Sequence, residues 1–445
     1  MTLRGRETPG FSRFDQIMLQ LARSESTVWH SLQAIASMFY TLVEGENGHS
    51  PKQSHQKTLQ HYNQAVRLLT SSNPHARSPI EVTLICCYVF FNIEILLKHE
   101  EGAISHLHGG MQILRNWKMN SRGQDAANYI ILAPKFYSTV SFAFVTGRIL
   151  SSSALLDEKV IYLPMRDHFS TVGEARISLL EITSLGLQSA RAFEAYKIKR
   201  QVAIEDVGIV HEQAILRRLQ DWFRIFDKLL AQMNTECLSA AKIHEIDVLR
   251  LSAKLALIWI PPRFSMNEMK YDDFVQDFKG CLHLAKSIYD QALNMVDTVN
   301  REFLRDHFQA VYMIILRCRN PIIRHDALEY LKSLRSEGFW QSSLMTRVAE
   351  RAVDIEEEGP EKCRDSTGAP VPIESSRIHD INIIPLENDH GARMVRFRLR
   401  INWKWISREE RFMLIPNNDL VPRPPPEPSL ATPPASSQKS PSEEV

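Results

Sequence analysis

Cysteine is scarce in this chain, with six in 445 residues. That is too few for a disulfide scaffold and fits reduced thiols inside a cell. Glycine is scarcer than usual at 17 residues, which disfavours an all-β fold built on tight turns. Charge of one sign is missing as well. Lys and Arg total 53 against 52 Asp and Glu, so bulk electrostatic binding to nucleic acid is excluded and only a local patch is left. The first ten residues hold no apolar stretch of the kind a secretory signal needs. The most apolar run, Val82–Leu97, is sixteen residues long and contains Asn92 and Glu94, too short and too polar to span a bilayer. A soluble intracellular protein with no membrane role is expected.

What the chain does have is helical periodicity, over about the first 360 residues. Val28, Leu32, Ile35, Phe39 and Leu42 recur at spacings of three and four, and Gly45 is a natural stop. Leu59, Tyr62, Val66 and Leu69 form a second stripe. Ser78-Pro79-Ile80-Glu81 reads as a capping box with Pro at the first helical position. The helix it opens is apolar on every side, which marks a buried central helix. Ile104, Leu107, Met111 and Leu114 follow after a short link, so these two helices should pack antiparallel. Further helices are expected near 127–149, 174–200, 210–232, 240–258, 274–299 and 303–317. Another is capped by Asn320-Pro321, and a last one starts near Trp340 and runs into Glu356-Glu357-Glu358.

After Gly359 the pattern changes. Residues 360–376 look like a linker. Ile381, Ile383 and Ile384, then Val395, Phe397, Leu399 and Ile401 alternating with Arg396, Arg398 and Arg400, predict a β-hairpin around Asn388–Gly391. Residues 421–445 hold eight Pro and no aromatic residue, a composition that stays disordered. The expected organisation is all-α. A multi-helix bundle or solenoid-like regulatory domain covers 1–359, a linker plus β-hairpin covers 360–418, and a disordered Pro/Ser-rich tail covers 419–445.

Signatures of chemistry are few. Cys86, Cys87, Cys237, Cys281, Cys318 and Cys363 include no C-x-x-C pair, and they read as buried apolar residues. His106 and His108 sit two apart on a helix and do not share a face, with His108 read as a partly buried histidine. His211-Glu212 and His244-Glu245 lack the second His of a zinc-protease helix. No phosphate-binding or nucleophile-elbow glycine motif is present. Gly109-Gly110 inside a helix points to close helix–helix approach, and Asp272-Asp273 to charge at a helix N-terminus. Arg393, Arg396, Arg398, Arg400, Lys404, Arg408 and Arg411 form a local basic cluster, read first as a solvated strand face and otherwise as a phosphate-contacting one. No catalytic, cofactor-binding or metal-ligating residue is nominated, and no enzyme activity is expected.

Two segments carry a family resemblance. SPIEVTLICCYVFFNIEILLKHEEGAISHLHGGMQILRNW resembles the middle region of fungal zinc-cluster transcription factors, in which a buried helix with an internal acid precedes a helix reading His-x-x-x-Gly-x-x-x-Leu. The corresponding residues are Glu94, His106, Gly110 and Leu114. RCRNPIIRHDALEYLKSLRSEGFWQSSLMTRVAERAVDIEEEG resembles the family's late helix pair through Cys318, Arg319, Arg324, Ala327, Glu337, Gly338 and Trp340. The resemblance spans about residues 14–415. It implies an all-helical regulatory region, a nuclear location and a role in controlling transcription, often of nutrient use or a secondary-metabolite gene cluster.

The six-cysteine zinc cluster with which that family reads DNA does not carry over. The cysteines here are separated by 1, 150, 44, 37 and 45 positions. The expectation is therefore a regulator without its own DNA reader, either through a truncated gene model or as a real short form. Protein partners are expected to be full-length zinc-cluster factors or a second copy of the chain as a homodimer. DNA would be engaged only indirectly, and a small-molecule effector could lie between helices. The alternative is a helical scaffold or adaptor with no role in transcription.

Overall fold

The apolar run that is too short for a membrane is the helix around which the N-terminal half is built. In the computed structural model this helix, α4 (Ile80–Leu96), buries ten of its side chains, from Val82 to Glu94. The structure describes residues 13–44, 51–71, 79–97, 99–120, 126–145, 165, 167–200, 205–233, 238–265, 267–294, 301–334, 342–386, 389–402 and 404–414. The Pro/Ser-rich tail lies outside the described residues. Helix α4 starts one residue later than a capping box would place it. Pro79 occupies the N-cap position with no side-chain cap, and Ser78 lies outside the described residues.

Around α4 pack α2 (Ser26–Glu44), α3 (Pro51–Thr70), α5 (Glu100–Asn120) and α6 (Ala126–Val145). Helix α1 (Arg13–Ser24), absent from the periodicity reading, lies beside α2 and buries Phe14, edge-on to Tyr88 of α4, and Ile17. The chain continues through α7 (Val172–Arg200), α8 (Glu205–Gln232), α9 (Ala240–Trp259), α10 (Val275–Asn294), α11 (Arg301–Arg317), α12 (Pro321–Ser333) and α13 (Ser342–Glu357). Most helices pack on the one that follows, the arrangement expected of a multi-helix bundle with short links. Trp222 of α8 is fully buried and donates its Nε1–H to the Ala175 carbonyl at the start of α7 (2.8 Å), which sets their register. Asn320 caps α12 as expected, its side chain accepting from the Ile323 N–H. Of the late resemblance segment, Glu337, Gly338 and Trp340 lie outside the described residues.

The glycine pair on α5 divides cleanly. A Cβ at Gly110 would sit 2.2 Å from Phe136 Cε1 of α6, so the absent side chain is what lets the two helices approach. Gly109 has nothing within 4 Å of that position.

Beyond α13 the strand content exceeds the expected hairpin. Strands β1 (Lys362–Arg364) and β2 (Pro370–Pro372) pair within the stretch read as a linker. Strands β3 (Ile378–Leu386), β4 (Asp389–Ile401) and β5 (Lys404–Met413) form an antiparallel sheet in that order. The hairpin is β3–β4. The third strand, KWISREERFM, hides in the sequence because both its faces carry charge. Its inward Glu410 is held by Arg351 of α13 (2.9 Å), so polarity there does not mean exposure to water. Val395 and Phe397 of β4 are fully buried in the same core as the helices.

The sheet is fastened to the helices by buried charge. Arg319 and Arg324, both essentially inaccessible to solvent, converge on Glu356 of α13 at 3.0 and 2.7 Å. Glu356 also accepts the backbone N–H of Ile378, the first residue of β3, at 2.7 Å. Arg317 pairs with Glu268 and donates to the carbonyls of Ile378 and His379. Arg377 grips Asp272 with two nitrogens, at 2.8 and 2.7 Å. Asp272 is therefore a buried ion-pair partner, not the helix-dipole charge its position before α10 suggests, because the sheet brings Arg377 to it. Burial alone would raise the carboxyl of Glu268, but Arg317 and Arg319 outweigh it and hold the group at about 2. The same contest, resolved by Arg319 and Arg324, leaves Glu356 ionised.

Two predictions follow from this packing. Glu356→Gln takes from buried Arg324 its closest carboxylate and from Arg319 one of two, the other being Glu268 at 3.1 Å, and should cost roughly 3–5 kcal/mol in denaturant unfolding. Gly110→Ala should destabilise by about 1–3 kcal/mol through the clash with Phe136. Gly109→Ala, one position earlier, should stabilise by up to about 1 kcal/mol through helix propensity alone. Equal effects at the two glycines would contradict the packing described.

Candidate functional site

An acid inside an apolar helix needs partners, since burying an unpaired carboxylate is costly. Glu94 is 6% exposed and finds its partners on two other elements. Tyr62 of α3 donates its hydroxyl to Glu94 Oε1 at 2.6 Å. His99, in the link between α4 and α5, places Nδ1 2.8 Å from Oε2. His106 of α5 sets Nε2 2.9 Å from the Tyr62 oxygen and 3.8 Å from Glu94 Oε1. The Tyr62 proton is committed to Glu94, so His106 donates to Tyr62 through an Nε2–H tautomer.

Local sequence explains why this geometry is available. Gly102 opens α5 beside the cluster. A Cβ there would lie 2.6 Å from His99 Nδ1 and 2.8 Å from the Glu94 carboxyl carbon. Tyr62 packs edge-on against Phe90 of α4, with ring centroids 4.9 Å apart, which fixes its hydroxyl. Burial pushes the Tyr62 phenol up, and hydrogen bonding to Glu94 adds to this. Burial lowers His106, Glu94 opposes that shift, and His99 reinforces it. His99 is 62% exposed and forms the open side of the cluster. The arrangement is a hydrogen-bonded chain of imidazole, phenol and carboxylate with one solvent-facing end. It can bind a polar group or relay a proton.

Among the sequence candidates, His106 joins this site and His108 does not, instead meeting Gln112 at 3.2 Å. His211 stacks on Phe264 with centroids 5.6 Å apart, and Glu212 pairs with Lys270. Glu245 pairs with Lys242 on its own helix. Cys86, Cys87, Cys281 and Cys318 are buried. Burial pushes Cys86 and Cys318 up to about 11, and Cys87 and Cys281 up to about 12, so they stay thiols. Cys237 lies outside the described residues. Among the described residues no group of three or more His, Cys, Asp or Glu is arranged to hold a metal ion. Also among the described residues, no helix is long and apolar enough to cross a membrane.

The basic cluster on β4 and β5 is largely neutralised. Arg396 meets Glu409 at 2.6 Å, Arg398 meets Asp380 at 3.5 Å, Arg400 meets Glu374 at 2.9 Å, and Arg408 meets Glu410 at 2.7 Å. The three β4 arginines do share one strand face, as alternation requires. Each faces a carboxylate, which leaves little net charge for phosphates. Periodicity did not reveal the Tyr62–His106 contact. The signal that could have found it was Glu94 itself, an acid that had to be answered from a neighbouring helix.

Residues 6–188, which contain α1 to α6 and the Glu94 cluster, match the fungal specific transcription factor domain. Over 234 residues the chain is 27% identical to the aspercryptin biosynthesis cluster-specific transcription regulator atnN of Emericella nidulans. That similarity covers 48% of this chain and 37% of the relative, so the chain spans little more than a third of that protein. No solved structure matches the chain. The segment containing Cys318, Arg319 and Arg324 lies beyond the matched domain.

A pH dependence follows from the cluster. The fold disfavours protonated His106, so its folded pKa lies below the ordinary 6.5. As pH falls below about 6.5, the unfolded chain takes that proton more readily, and stability drops. His106→Gln should flatten this loss, read as a smaller decrease in unfolding free energy between pH about 7 and about 5. An unchanged slope would mean that His106 titrates as it does in the unfolded chain.

Proposed function

We propose that this chain is the regulatory body of a transcription regulator and works in the nucleus through protein partners. The observation that carries the reading is the match of residues 6–188 to the fungal specific transcription factor domain, over the very helices that enclose Glu94. The similarity to a cluster-specific regulator supports a finer assignment, control of a secondary-metabolite gene cluster. DNA is engaged indirectly. Four of the five described cysteines are buried thiols, and the basic cluster on β4 and β5 is answered by carboxylates. The Glu94 cluster is where a polar effector would be read, because it couples α3, α4 and α5 and opens to solvent at His99. No catalytic activity is assigned.

The test is to fuse the full chain to an unrelated DNA-binding domain in a fungal host. A reporter under that domain's sites should change by severalfold, and a fluorescent fusion should accumulate in the nucleus. The purified chain should hold no stoichiometric zinc and bind duplex DNA only weakly. A silent reporter together with a cytosolic pool would favour a scaffold outside transcription. Two zinc ions per chain would overturn the indirect engagement of DNA.

A further inference from the structure

Strand β5 is the outer strand of the three-stranded sheet. One side of it is paired with β4 over ten residues without a register shift, and among the described residues no strand pairs with its other side. The opposite edge differs. Strand β3 contains Pro385, shows register shifts against β4, and starts under the buried arginines. A regular ten-residue edge without Pro or bulge is a template for another strand.

The side chains of β5 are self-complementary. We propose that β5 pairs antiparallel with β5 of a second copy of this chain, about a two-fold axis through Glu409, to make a continuous six-stranded sheet. In that register Arg408, which bonds Glu410 of its own chain at 2.7 Å, also stands opposite the Glu410 of the second copy, and the symmetry makes this contact twice. Ile406 stands opposite Phe412, Trp405 opposite Met413, and Ser407 opposite Arg411. Directly opposed residues share a face, so each of these pairs can touch. Ile406 is 45% exposed and Met413 53%, unusual for large apolar groups on a strand, and this pairing covers both. The two Glu409 side chains meet at the axis, and each already binds Arg396 of its own chain at 2.6 Å.

Neighbouring registers lack this match. Centring one residue earlier sets Arg408 against itself and Ile406 against Glu410. Centring one residue later sets Glu410 against itself and Arg408 against Phe412. Charges on an edge strand ordinarily guard against pairing. Here their order is attractive in one symmetric register, so they select a copy of the same strand. Arg347 of α13 holds the Met413 carbonyl at 2.7 Å and Arg351 holds Glu410, which ties β5 to the helical body.

The experiment is sedimentation velocity on the full chain from about 1 to about 100 µM, with circular dichroism melts on every variant. The wild-type chain should form dimers in this range. Arg408→Glu and Glu410→Arg should each weaken the dimer about tenfold or more, because each turns two attractions into two repulsions. An equimolar mixture of the two variants should recover dimer, since every opposed pair is then attractive. Glu409→Cys should crosslink to itself with a short bis-maleimide, well above the level of the unsubstituted chain. A monomer at all concentrations overturns the proposal. So does a dimer indifferent to the charge reversals, a mixture that recovers nothing while both variants melt as wild type, or no crosslink at position 409.

Discussion

The pairing of Arg319 and Arg324 with Glu356 is the constraint on which the C-terminal half depends. All three side chains are removed from water, so their desolvation offsets much of the Coulomb attraction, and the set adds little net stability over an apolar core. What it adds is position. Glu356 has oxygens enough for two guanidinium groups and the Ile378 N–H, and all are met only when α11, α12, α13 and β3 stand in one arrangement. Arg317 repeats the device by bonding both Glu268 and the first carbonyls of β3. The sheet is thus an integral part of the helical body, held by directional bonds that an oily contact would not supply.

The N-terminal half uses the same logic with weaker groups. Glu94 is the single acid among the buried residues of α4, and a phenol and two imidazoles on neighbouring elements satisfy it. The arginine network is sealed and always charged, whereas the Glu94 cluster includes a titrating imidazole and reaches the surface. One is suited to holding a shape, the other to responding. On that contrast rests the proposal that the N-terminal half senses, while the later helices and sheet hold the shape and carry an exposed strand edge.

The helices were legible wherever one face met the core. The helices expected over Val28–Leu42 and Leu59–Leu69, the buried α4 and the Asn320 cap all formed, although Leu59 itself is exposed. Helix α1 escaped notice because its apolar stripe is short, and β5 because its inward face is ionic. Gly110 signalled close packing correctly, while Gly109 beside it meets nothing. Of the Glu94 cluster, only the need for partners could be read. Which residues would supply them depended on how α3 and α5 lie against α4.

Sequence alone determined the helical class, the central place of α4, the hairpin β3–β4 and that these six cysteines are not spaced as a zinc cluster. All of these follow from local periodicity or from spacing along the chain. The tertiary structure decided which charge meets which. Asp272 with Arg377, Arg319 with Glu356, Tyr62 with His106 and the three β4 arginines with their carboxylates join residues from 13 to 105 positions apart. Contacts of that kind leave no period in the sequence, because their partners are chosen by the packing of whole elements and not by neighbours along the chain.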